Sequence, residues 1–451
     1  MKRIVWCVAV MMLLVCVGAW ALAEEEVYSD GDYEYEYVLL EDGSAKITKF
    51  NGYGDSKTIP EELDGHPVSA IGASAFAPYA QLETVEIPDS VTDIEGNPFT
   101  DCNNLQTIEV SADHPTLAVM DGVLFEKTTK KLVCYPAGRE AASYEIPQGI
   151  AAIGDSAFNR AKLRSLTIPD SVTSIGSYAF DKCSEITELM IPDSVVSIGE
   201  GAFIRCYMLK DVTLPAGIAA IPASAFESCE ALESVTLPDS VTAIGESAFA
   251  LCAGLSAINL PEGVVTIGGR AFSGCEKLTG VTLPAGLTAM GDGIFKDCSR
   301  ITDIVIPQGV TEIPADAFRG CSGLKTLTLH DGVTAIGDYA FAYCDNLTGL
   351  TLPAGLVTIG EGAFFYFYFG TIRELTIPEG VTSIGAEAFR YWGSLTEVTL
   401  PSSVAFIGED AFADCADGLM LHVERDSYAR DYARENDLDY VYEDSNDWLY
   451  E

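Results

Sequence analysis

Basic residues are scarce in this 451-residue sequence. Lysine and arginine together number 26 against 67 aspartate and glutamate residues, which gives a formal net charge of −41 at pH 7. A chain this acidic is repelled by the phosphates of nucleic acids and by anionic membrane surfaces. We therefore predict no nucleic-acid partner, and we expect partners that are neutral, cationic or held through bridging cations.

Histidine and recognisable catalytic motifs are also scarce. The four histidines, His66, His114, His330 and His422, lie far apart along the chain. The sequence has no Gly-x-Ser-x-Gly, no phosphate-binding loop, no His-Glu-x-x-His and no helix-loop-helix calcium motif, which are short patterns with defined chemical roles. We predict that the protein is not an enzyme and has no cofactor or metal site. Because carboxylates are abundant, a hydrolase with a paired carboxylate site stays open as a remote alternative.

Long apolar runs are confined to the N-terminus. A basic start and an apolar run over residues 4–17 precede a small-x-small tripeptide that ends at Ala23. This pattern predicts that residues 1–23 are a secretory signal peptide, cleaved after Ala23. A lipoprotein signal at Cys16 is disfavoured because the preceding valine is too large for lipidation. No later run could span a bilayer, so the expected product has no integral membrane segment and is secreted, extracellular or at the cell surface.

The abundant feature of the sequence is a repeat of 23 residues. One unit runs from Leu232 to Cys252, and the next begins at Leu255. Self-similarity at a fixed period is the signature of a solenoid. Three columns share this period: Pro169, Pro192, Pro215, Pro238, Pro261, Pro284, Pro307 and Pro353; Phe180, Phe203, Phe226, Phe249, Phe272, Phe295, Phe318, Phe341 and Phe364; and Cys183, Cys206, Cys229, Cys252, Cys275, Cys298, Cys321 and Cys344.

Each part of the unit predicts one piece of a coil. Leu-x-x-Val-x-Leu alternates apolar and polar residues, which indicates a short strand that proline then ends. Val-x-x-Ile-Gly predicts a second short extended piece, and Ala-Phe-x-x-Cys predicts one helical turn. A single unit cannot bury its own apolar face, whereas stacked units can, so we predict a parallel solenoid with coils about 4.8 Å apart.

This unit resembles the BspA-type (Treponema pallidum-type) bacterial leucine-rich repeat, Cys-x-x-Leu-x-x-[Val/Ile]-x-[Ile/Leu]-Pro-x-x-[Val/Ile]-x-x-Ile-Gly-x-x-Ala-Phe. The resemblance covers roughly residues 59–415. It implies a right-handed, β-rich leucine-rich repeat solenoid. Members of this family are typically secreted or surface proteins, and characterised ones resemble adhesins that bind host or bacterial partners, so the resemblance also implies a binding role.

The segments outside the regular repeat predict caps and one insert. Residues 33–57 alternate around an Asp-Gly turn, which predicts an N-terminal β cap over residues 24–58. Within 111–146, where the period fails, Val119–Phe125 and Leu132–Tyr135 predict the two strands of a β-hairpin insert; either a binding loop or a structural variant fits it. Residues 416–443 predict a helix-and-strand cap, and residues 444–451 predict an acidic tail.

The cysteines are predicted to be buried thiols. The segment after residue 23 keeps eleven cysteines, an odd number. Equivalent residues on adjacent coils have parallel Cα–Cβ vectors about 4.8 Å apart, whereas a disulfide needs converging Cβ atoms at about 3.5–4.5 Å. A straight column also cannot converge on a tetrahedral zinc ion. We expect these side chains to be small apolar groups of the core.

The candidate binding residues lie where the repeat changes. The unit after Phe364 gains two residues and becomes rich in aromatic side chains, and the next unit places an aromatic residue in the cysteine slot. Five consecutive aromatic residues cannot all point inward, so some should form an exposed contact patch; the alternative is that they fill a local widening of the core. The predicted patch residues are Phe365, Tyr366, Tyr368, Phe369, Tyr391 and Trp392, and the predicted strand-face contacts are Lys325, Arg373 and Glu397.

Together these features predict a secreted or surface protein that binds an extracellular protein or glycan through its solenoid face and aromatic patch. An exposed threonine column on the main strands, which includes Thr213 and Thr236, suits ice binding only poorly because it is single and interrupted. A structural protein that assembles at the cell surface without a specific ligand stays open as the alternative. The sequence leaves the oligomeric state open.

Overall fold

A computed structural model describes residues 25–30, 33–368 and 370–443 of the chain. The predicted signal peptide, the cleavage site at Ala23 and the predicted acidic tail lie outside these ranges. Within them the chain forms a β-solenoid of about 17 turns with a repeat spacing of about 23 residues. The predicted leucine-rich repeat solenoid is therefore confirmed.

The N-terminal strands change from antiparallel to parallel pairing. β1, β2 and β3 form an antiparallel meander, with a turn at Asp42–Gly43 between β2 and β3. β3 and β4 pair in parallel with β6 and β7, so parallel stacking begins before residue 59. The strands in this region are β1 Glu26–Ser29, β2 Glu34–Leu39, β3 Ala45–Asn51, β4 Ser56–Thr58, β5 Glu62–Leu63, β6 His66–Ile71, β7 Thr84–Glu86, β8 Asp93–Ile94 and β9 Thr107–Glu109.

The insert is a three-stranded antiparallel sheet, β10 Leu117–Met120, β11 Val123–Glu126 and β12 Lys131–Cys134. The prediction of one strand over 119–125 was wrong, because a two-residue turn at Asp121–Gly122 separates β10 from β11. Both turn residues have positive φ, 49° and 73°, as the primed hairpin turns require. β12 then pairs in parallel with the next coil.

This inserted sheet divides the core of the solenoid. Leu124 and Val133 pack into a cluster with the N-terminal coils, whereas Val123, Phe125 and Leu132 pack into the long C-terminal cluster. Successive side chains along a strand point to opposite faces of the sheet. Because each set packs into one of the two clusters, both faces of the inserted sheet are buried. These contacts favour the structural interpretation of the insert over the binding-loop interpretation.

An ionic cluster joins the coils on either side of the insert. The Asp101 carboxylate accepts hydrogen bonds from the Arg160 guanidinium and, at 3.3 Å, from Lys182 Nζ. The backbone N–H of Asp101 donates to Asn159 Oδ1 at 2.9 Å. Burial alone raises the pKa of Asp101, but Arg160 and Lys182 outweigh it and lower the pKa below the ordinary aspartate value.

The regular coils contain two columns of short strands. Main strands have three residues with an exposed–buried–exposed pattern, and second strands have two. Thr213 and Thr236 pair in register with exposed side chains, as the threonine column predicted. The strands are β13 Ser143–Glu145, β14 Ala152–Ile153, β15 Ser165–Thr167, β16 Ser174–Ile175, β17 Glu188–Met190, β18 Ser197–Ile198, β19 Asp211–Thr213, β20 Ala220–Ile221, β21 Ser234–Thr236, β22 Ala243–Ile244, β23 Ala257–Asn259, β24 Thr266–Ile267, β25 Ala289–Met290, β26 Asp303–Val305, β27 Glu312–Ile313, β28 Thr326–Thr328, β29 Ala335–Ile336, β30 Thr358–Ile359, β31 Glu374–Thr376, β32 Ser383–Ile384, β33 Glu397–Thr399 and β34 Phe406–Ile407.

The glycine after each second strand ties adjacent coils together. Its N–H donates to the isoleucine carbonyl of the preceding coil, as from Gly245 to Ile221 at 2.8 Å. Pro222 and Pro314 replace this glycine in two coils and lack the N–H donor. The sheet of second strands is interrupted at these two coils, between β18 and β20 and between β25 and β27.

The Ala-Phe-x-x-Cys segment forms an arc of turns, so the predicted helical turn was wrong. Alternate N–H groups in this arc donate to the next coil, from Ser156 to Ser177 at 2.9 Å and from Phe158 to Ala179 at 2.7 Å. Residues two before and two after the phenylalanine have positive φ, as at Ser156 (54°). Donating to a neighbouring coil competes with the internal i→i−4 bonds of a helix, and the stacking of coils decides the outcome.

Stacked phenylalanines and cysteine thiols fill the core behind this arc. From Phe158 to Phe412 the successive ring centroids are 5.1–5.7 Å apart and their planes lie within 2–17° of parallel. Each column cysteine donates its S–H to the phenylalanine carbonyl of the preceding coil, at Sγ–O distances of 3.0–3.4 Å. The cysteines from Cys102 to Cys415 are free thiols, and all but Cys415 are buried.

The described chain ends with strand β35 Met420–Val423, helix α1 Tyr428–Glu435 and strand β36 Asp439–Tyr442. Ser427 caps the helix by accepting the N–H of Arg430 at 3.2 Å. Both strands continue the parallel ladder from β33. No helix in the described parts of the chain has the length and apolar character needed to cross a bilayer.

Candidate functional site

The unit with two extra residues begins after Phe364, and the core side of it contains two large aromatic rings. Phe367 and Trp392 occupy the cysteine slots of successive coils, are each about 1% exposed, and stack with ring centroids 4.8 Å apart. The Trp392 indole N–H donates to the Phe364 carbonyl at 2.5 Å, as the cysteine S–H groups do in other coils. The prediction that Trp392 belongs to an exposed contact patch was therefore wrong, because the indole replaces a buried thiol.

The solvent side of the same coils has a column of tyrosines. Each of three successive coils has a tyrosine two residues after its buried phenylalanine, namely Tyr343, Tyr366 and Tyr391. Their ring centroids are 5.5 and 5.8 Å apart along the column. All three have positive φ, 61°, 66° and 64°, a conformation that the arc imposes at this position throughout the solenoid.

Phe365 lies among these rings. It makes edge contacts with Tyr343 at 5.6 Å and with Tyr391 at 5.5 Å, and a further one with Tyr339 at 6.5 Å. Tyr368, which is 54% exposed, stacks beside Tyr366 at 6.4 Å. We call the set Tyr339, Tyr343, Phe365, Tyr366, Tyr368 and Tyr391 the aromatic patch. Phe369, which was also predicted here, lies outside the described residues.

Two arginines border the aromatic patch. The Arg319 guanidinium lies 5.2 Å from the Tyr339 ring centroid and 5.8 Å from that of Tyr343. Arg390 lies 4.9 Å from the ring of Tyr391. Such contacts stabilise both partners by about 0.5–1 kcal/mol when exposed, so the arginines restrict the tyrosine rings to defined positions.

Carboxylates pair with both arginines, and Asp316 Oδ1 lies 3.1 Å from Arg319 Nη1. Arg390 contacts Asp414 at 3.0 Å and Glu387 at 2.6 Å, and these hydrogen bonds raise the pKa of Arg390 above the ordinary arginine value. The Tyr339 hydroxyl donates to Glu361 at 2.7 Å. This hydrogen bond, together with burial, raises the pKa of Tyr339 to about 12. The patch therefore combines aromatic rings with a border of paired charges.

The predicted strand-face residues lie elsewhere on the coil. Lys325 is exposed immediately before β28, and Arg373 is exposed immediately before β31. Glu397 is exposed on β33, with Oε2 3.5 Å from Nε2 of His422. The ring contacts of the aromatic patch involve the turn arc rather than the main strands, so the structure does not bring the two predicted sets together.

Sequence reasoning missed four residues of this site: Tyr339, Tyr343, Arg319 and Arg390. The first two lie in the regular unit before the aromatic run, where nothing breaks the repeat. One signal was available, because Tyr343, Tyr366 and the position of Tyr391 follow the same column across the two-residue insertion. Arginine contacts across coils depend on which side chains face each other on the arc.

Grooves on the arc flank the aromatic patch. A cavity of about 420 Å³ is lined by Lys296, Asp297, Arg319, Ser322, Tyr343 and Asp345, together with Gly320. A second cavity of about 520 Å³ shares Asp297 and Gly320 with it, and a third of about 360 Å³ lies beside Glu387 and Asp410. Across residues 25–30, 33–368 and 370–443, no three His, Cys, Asp or Glu side chains are arranged to hold a metal ion.

Comparisons with known proteins agree with this architecture. A family model described as BspA type leucine-rich repeat region, in six copies, matches residues 58–131, 134–255, 219–318, 242–368 and 290–419. A leucine-rich repeat protein from Bacteroides ovatus has 22% identity and a TM-score of 0.53, over 90% of this chain and 100% of that chain. A leucine rich cell surface protein from Faecalibacterium prausnitzii has 28% identity and a TM-score of 0.48, over 95% and 97%. A search among curated proteins found no match.

Proposed function

The chain belongs to the BspA-type leucine-rich repeat family, and from that premise we propose that it is an exported binding protein that recognises an extracellular protein or glycan through the aromatic patch. The predicted signal peptide supports export. Edman sequencing of protein secreted by an expressing bacterium should begin at Glu24. Retention of residues 1–23 would contradict this part of the proposal.

The observation that carries the proposal is the set of solvent-side rings on three successive coils. Tyr343, Tyr366 and Tyr391 follow one column, and Phe365 and Tyr368 pack beside them. The same column holds Gly274 and Gly320 in other coils, so the backbone does not require a ring at this position. A cluster of large aromatic rings on a protein surface is typical of a contact site, which supports a role for these rings in binding a partner.

The composition of the patch suits recognition. Tyrosine and arginine are enriched at binding hot spots because they combine a large apolar surface with polar groups. The rings are held by mutual contacts and by Arg319 and Arg390, so little side-chain entropy is lost on binding. The net charge of −41 directs the choice of partner toward neutral or cationic surfaces.

The test compares variants of the patch with a matched tyrosine elsewhere. Purified protein is titrated against immobilised extracellular-matrix proteins and a glycan array by biolayer interferometry. Tyr366→Asn with Tyr391→Asn removes two rings while keeping a residue that tolerates positive φ. Tyr178→Asn is the control, because Tyr178 also has positive φ (55°) and is 39% exposed, far from the patch.

We expect the double variant to weaken binding at least tenfold, a loss of about 1.4 kcal/mol, while the control binds as the parent protein does. Circular dichroism melting checks that both variants stay folded. Equal binding by the folded double variant would move the contact site to the strand face near Lys325 and Arg373. Light scattering that detects self-assembled particles, with no binding to any panel member, would favour the structural role instead.

A further inference from the structure

The cavity beside Tyr343 joins the aromatic patch to a longer groove along the turn arc. Gly274, Asp297, Gly320 and Tyr343 follow one another at the same position of four successive coils. The two glycines have positive φ and no side chain, so the side chains of Leu251 and Asp297 from the preceding coils lie over them and line the groove, whereas the Tyr343 ring closes one end. A Cβ at Gly320 would lie 2.3 Å from Asp297 Oδ1, so the glycine leaves the space that this carboxylate occupies.

The polar groups around the cavity have both signs and a balanced charge. Lys296 and Arg319 are cationic, whereas Asp297 and Asp345 are carboxylates, and the formal charges of these four lining residues cancel. Both cations are engaged by one further residue, since Asp316 contacts Lys296 Nζ at 3.3 Å and Arg319 Nη1 at 3.1 Å. The cavity therefore holds no uncompensated positive charge to attract an anion.

One carboxylate oxygen in the cavity wall is an acceptor with no hydrogen-bond donor among the described residues. Asp345 Oδ1 is inaccessible to solvent and accepts no hydrogen bond from the described residues. Burial raises the pKa of this carboxyl, which reflects the lack of a compensating donor. A buried acceptor without a donor costs about 1–3 kcal/mol, so a ligand that supplies a hydroxyl or N–H, with a small movement of this side chain, gains that energy on binding.

The backbone of the groove is already paired, which argues against an extended peptide. The backbone N–H groups of this column donate to the next coil. Asp297 donates to the Arg319 carbonyl at 2.7 Å, Gly320 donates to the Ala342 carbonyl at 2.8 Å, and Tyr343 also donates to the coil after it. A peptide that adds as a strand needs free main-chain partners for its affinity. Recognition in this groove therefore depends on side chains and ring faces.

We propose that this groove is a saccharide subsite, in which a neutral hexose packs against the Tyr343 ring and its hydroxyls bond to Asp345, Asp297 and Ser322. Each sugar hydroxyl both donates and accepts, which matches the mixed lining. The cavity volume of about 420 Å³ lies within the range of small-ligand sites. The second cavity continues past Gly320 toward Ser299, so the site accommodates an unbranched oligosaccharide that runs along the solenoid. This proposal rests on the proposed binding function and names its ligand class.

The experiment is isothermal titration of the purified protein with neutral hexaoses of glucose and mannose in different linkages, and with heparin and polygalacturonate as anionic probes. Two variants address the subsite: Tyr343→Asn removes the ring and tolerates positive φ, and Asp345→Asn removes the charge with little change in shape. Tyr178→Asn is the matched tyrosine control. Asp239→Asn, at an exposed carboxylate far from the groove, is the matched control for charge.

We expect at least one neutral hexaose to bind more tightly than either anionic probe. Each subsite variant should weaken that binding about tenfold, the loss that follows from one charge-assisted hydrogen bond or one ring contact, and neither control should change it. Thermal melting identifies any variant that fails to fold, and the other subsite variant then decides.

Four results would overturn the proposal, and they separate it from the proposed function. Neutral hexaoses that bind equally to folded subsite variants would place the sugar elsewhere. Tighter binding of heparin would contradict the neutral ligand class. Binding of a matrix protein through the aromatic patch, with no binding of any hexaose, would remove the saccharide subsite but leave the proposed function standing. No binding to any probe or matrix protein would remove both.

Discussion

The stack of phenylalanine rings leads to a quantitative prediction about coupling between coils. Phe249 contacts the rings of Phe226 and Phe272, at centroid distances of 5.4 and 5.6 Å. Leucine retains most of the buried volume and removes the ring contacts, which stabilise aromatic pairs by about 0.5–1.5 kcal/mol each beyond burial. The single variant Phe249→Leu therefore loses two ring contacts and should lower the free energy of unfolding by about 1–3 kcal/mol.

Double variants separate neighbouring from distant coils. Phe249→Leu with Phe272→Leu loses three ring contacts, because the pair shares one. Phe249→Leu with Phe318→Leu loses four, because Phe318 contacts Phe295 and Phe341 instead. The neighbouring pair should be less destabilised than the sum of its single variants by about 0.5–1.5 kcal/mol, while the distant pair should be additive within about 0.5 kcal/mol.

The assay is urea unfolding followed by far-ultraviolet circular dichroism on the parent protein, the three single variants and the two double variants. Equal slopes of the unfolding transitions are required, because a repeat array can lose cooperativity when one coil is weakened. Additivity in the neighbouring pair, or equal non-additivity in both pairs, would refute the idea that stacked rings couple adjacent coils.

Three further predictions concern a backbone contact, a core hydrogen bond and an ion pair. Gly268→Ala should destabilise the protein by about 1–3 kcal/mol, because its Cβ would lie 2.5 Å from the Glu246 backbone N, whereas Gly217→Ala, with no atom within 4 Å of its Cβ, should be neutral or stabilising; equal melting temperatures would contradict this. Trp392→Phe should cost about 1–3 kcal/mol through the unpaired Phe364 carbonyl and leave ligand binding unchanged, so a loss of binding in the folded variant would return the indole to the contact site. Asp101 has a pKa lowered by its ion pairs with Arg160 and Lys182, so its stabilisation is present above the ordinary aspartate pKa and is lost as the pH falls through the folded-state value. Asp101→Asn should therefore destabilise the protein at pH 7, and the difference from the parent should shrink as the pH is lowered through the folded-state pKa. A difference in the free energy of unfolding that stays constant as the pH falls would refute the ion-pair origin.

Much of the fold could be predicted because each coil repeats the same environment. A residue such as Phe249 packs on its own copies in the coils before and after it, so its column position predicts its burial. The prediction of buried thiols followed from the same geometry, because parallel side chains on adjacent coils do not converge. The exposed threonine column followed from the alternation of side chains along a strand.

The errors had two origins, contacts between coils that override the local pattern and a local turn within an apolar run. Ala-Phe-x-x-Cys has the composition of a helical turn, but its N–H groups donate to the next coil instead. The strand predicted over 119–125 contains the turn residues Asp121 and Gly122, whose signal was outweighed by the apolar run around them. Pro222 stands where other coils have a glycine, and only the ladder of glycine N–H donors shows that it interrupts a sheet.

The candidate site was predictable in part. Repeat spacing located the aromatic run and indicated that some of its rings face solvent, as Tyr368 does. It did not distinguish inward from outward rings, and so it placed Trp392 on the surface. It also gave no reason to include Tyr343 or Arg319, which lie in regular units and join the patch through contacts between coils.

The sequence by itself determined the period, the identity of the stacked columns, the acidity and the family resemblance, because each of these depends on residue type and spacing alone. Only the tertiary structure decided which aromatic rings are exposed, where the arginines lie and how Gly320 and Tyr343 shape a groove. The physical reason is that each coil of the solenoid has a buried side, which faces the core, and an exposed side, which faces solvent. The choice between them at an irregular unit depends on hydrogen bonds and packing against neighbouring coils, which are distant in the sequence.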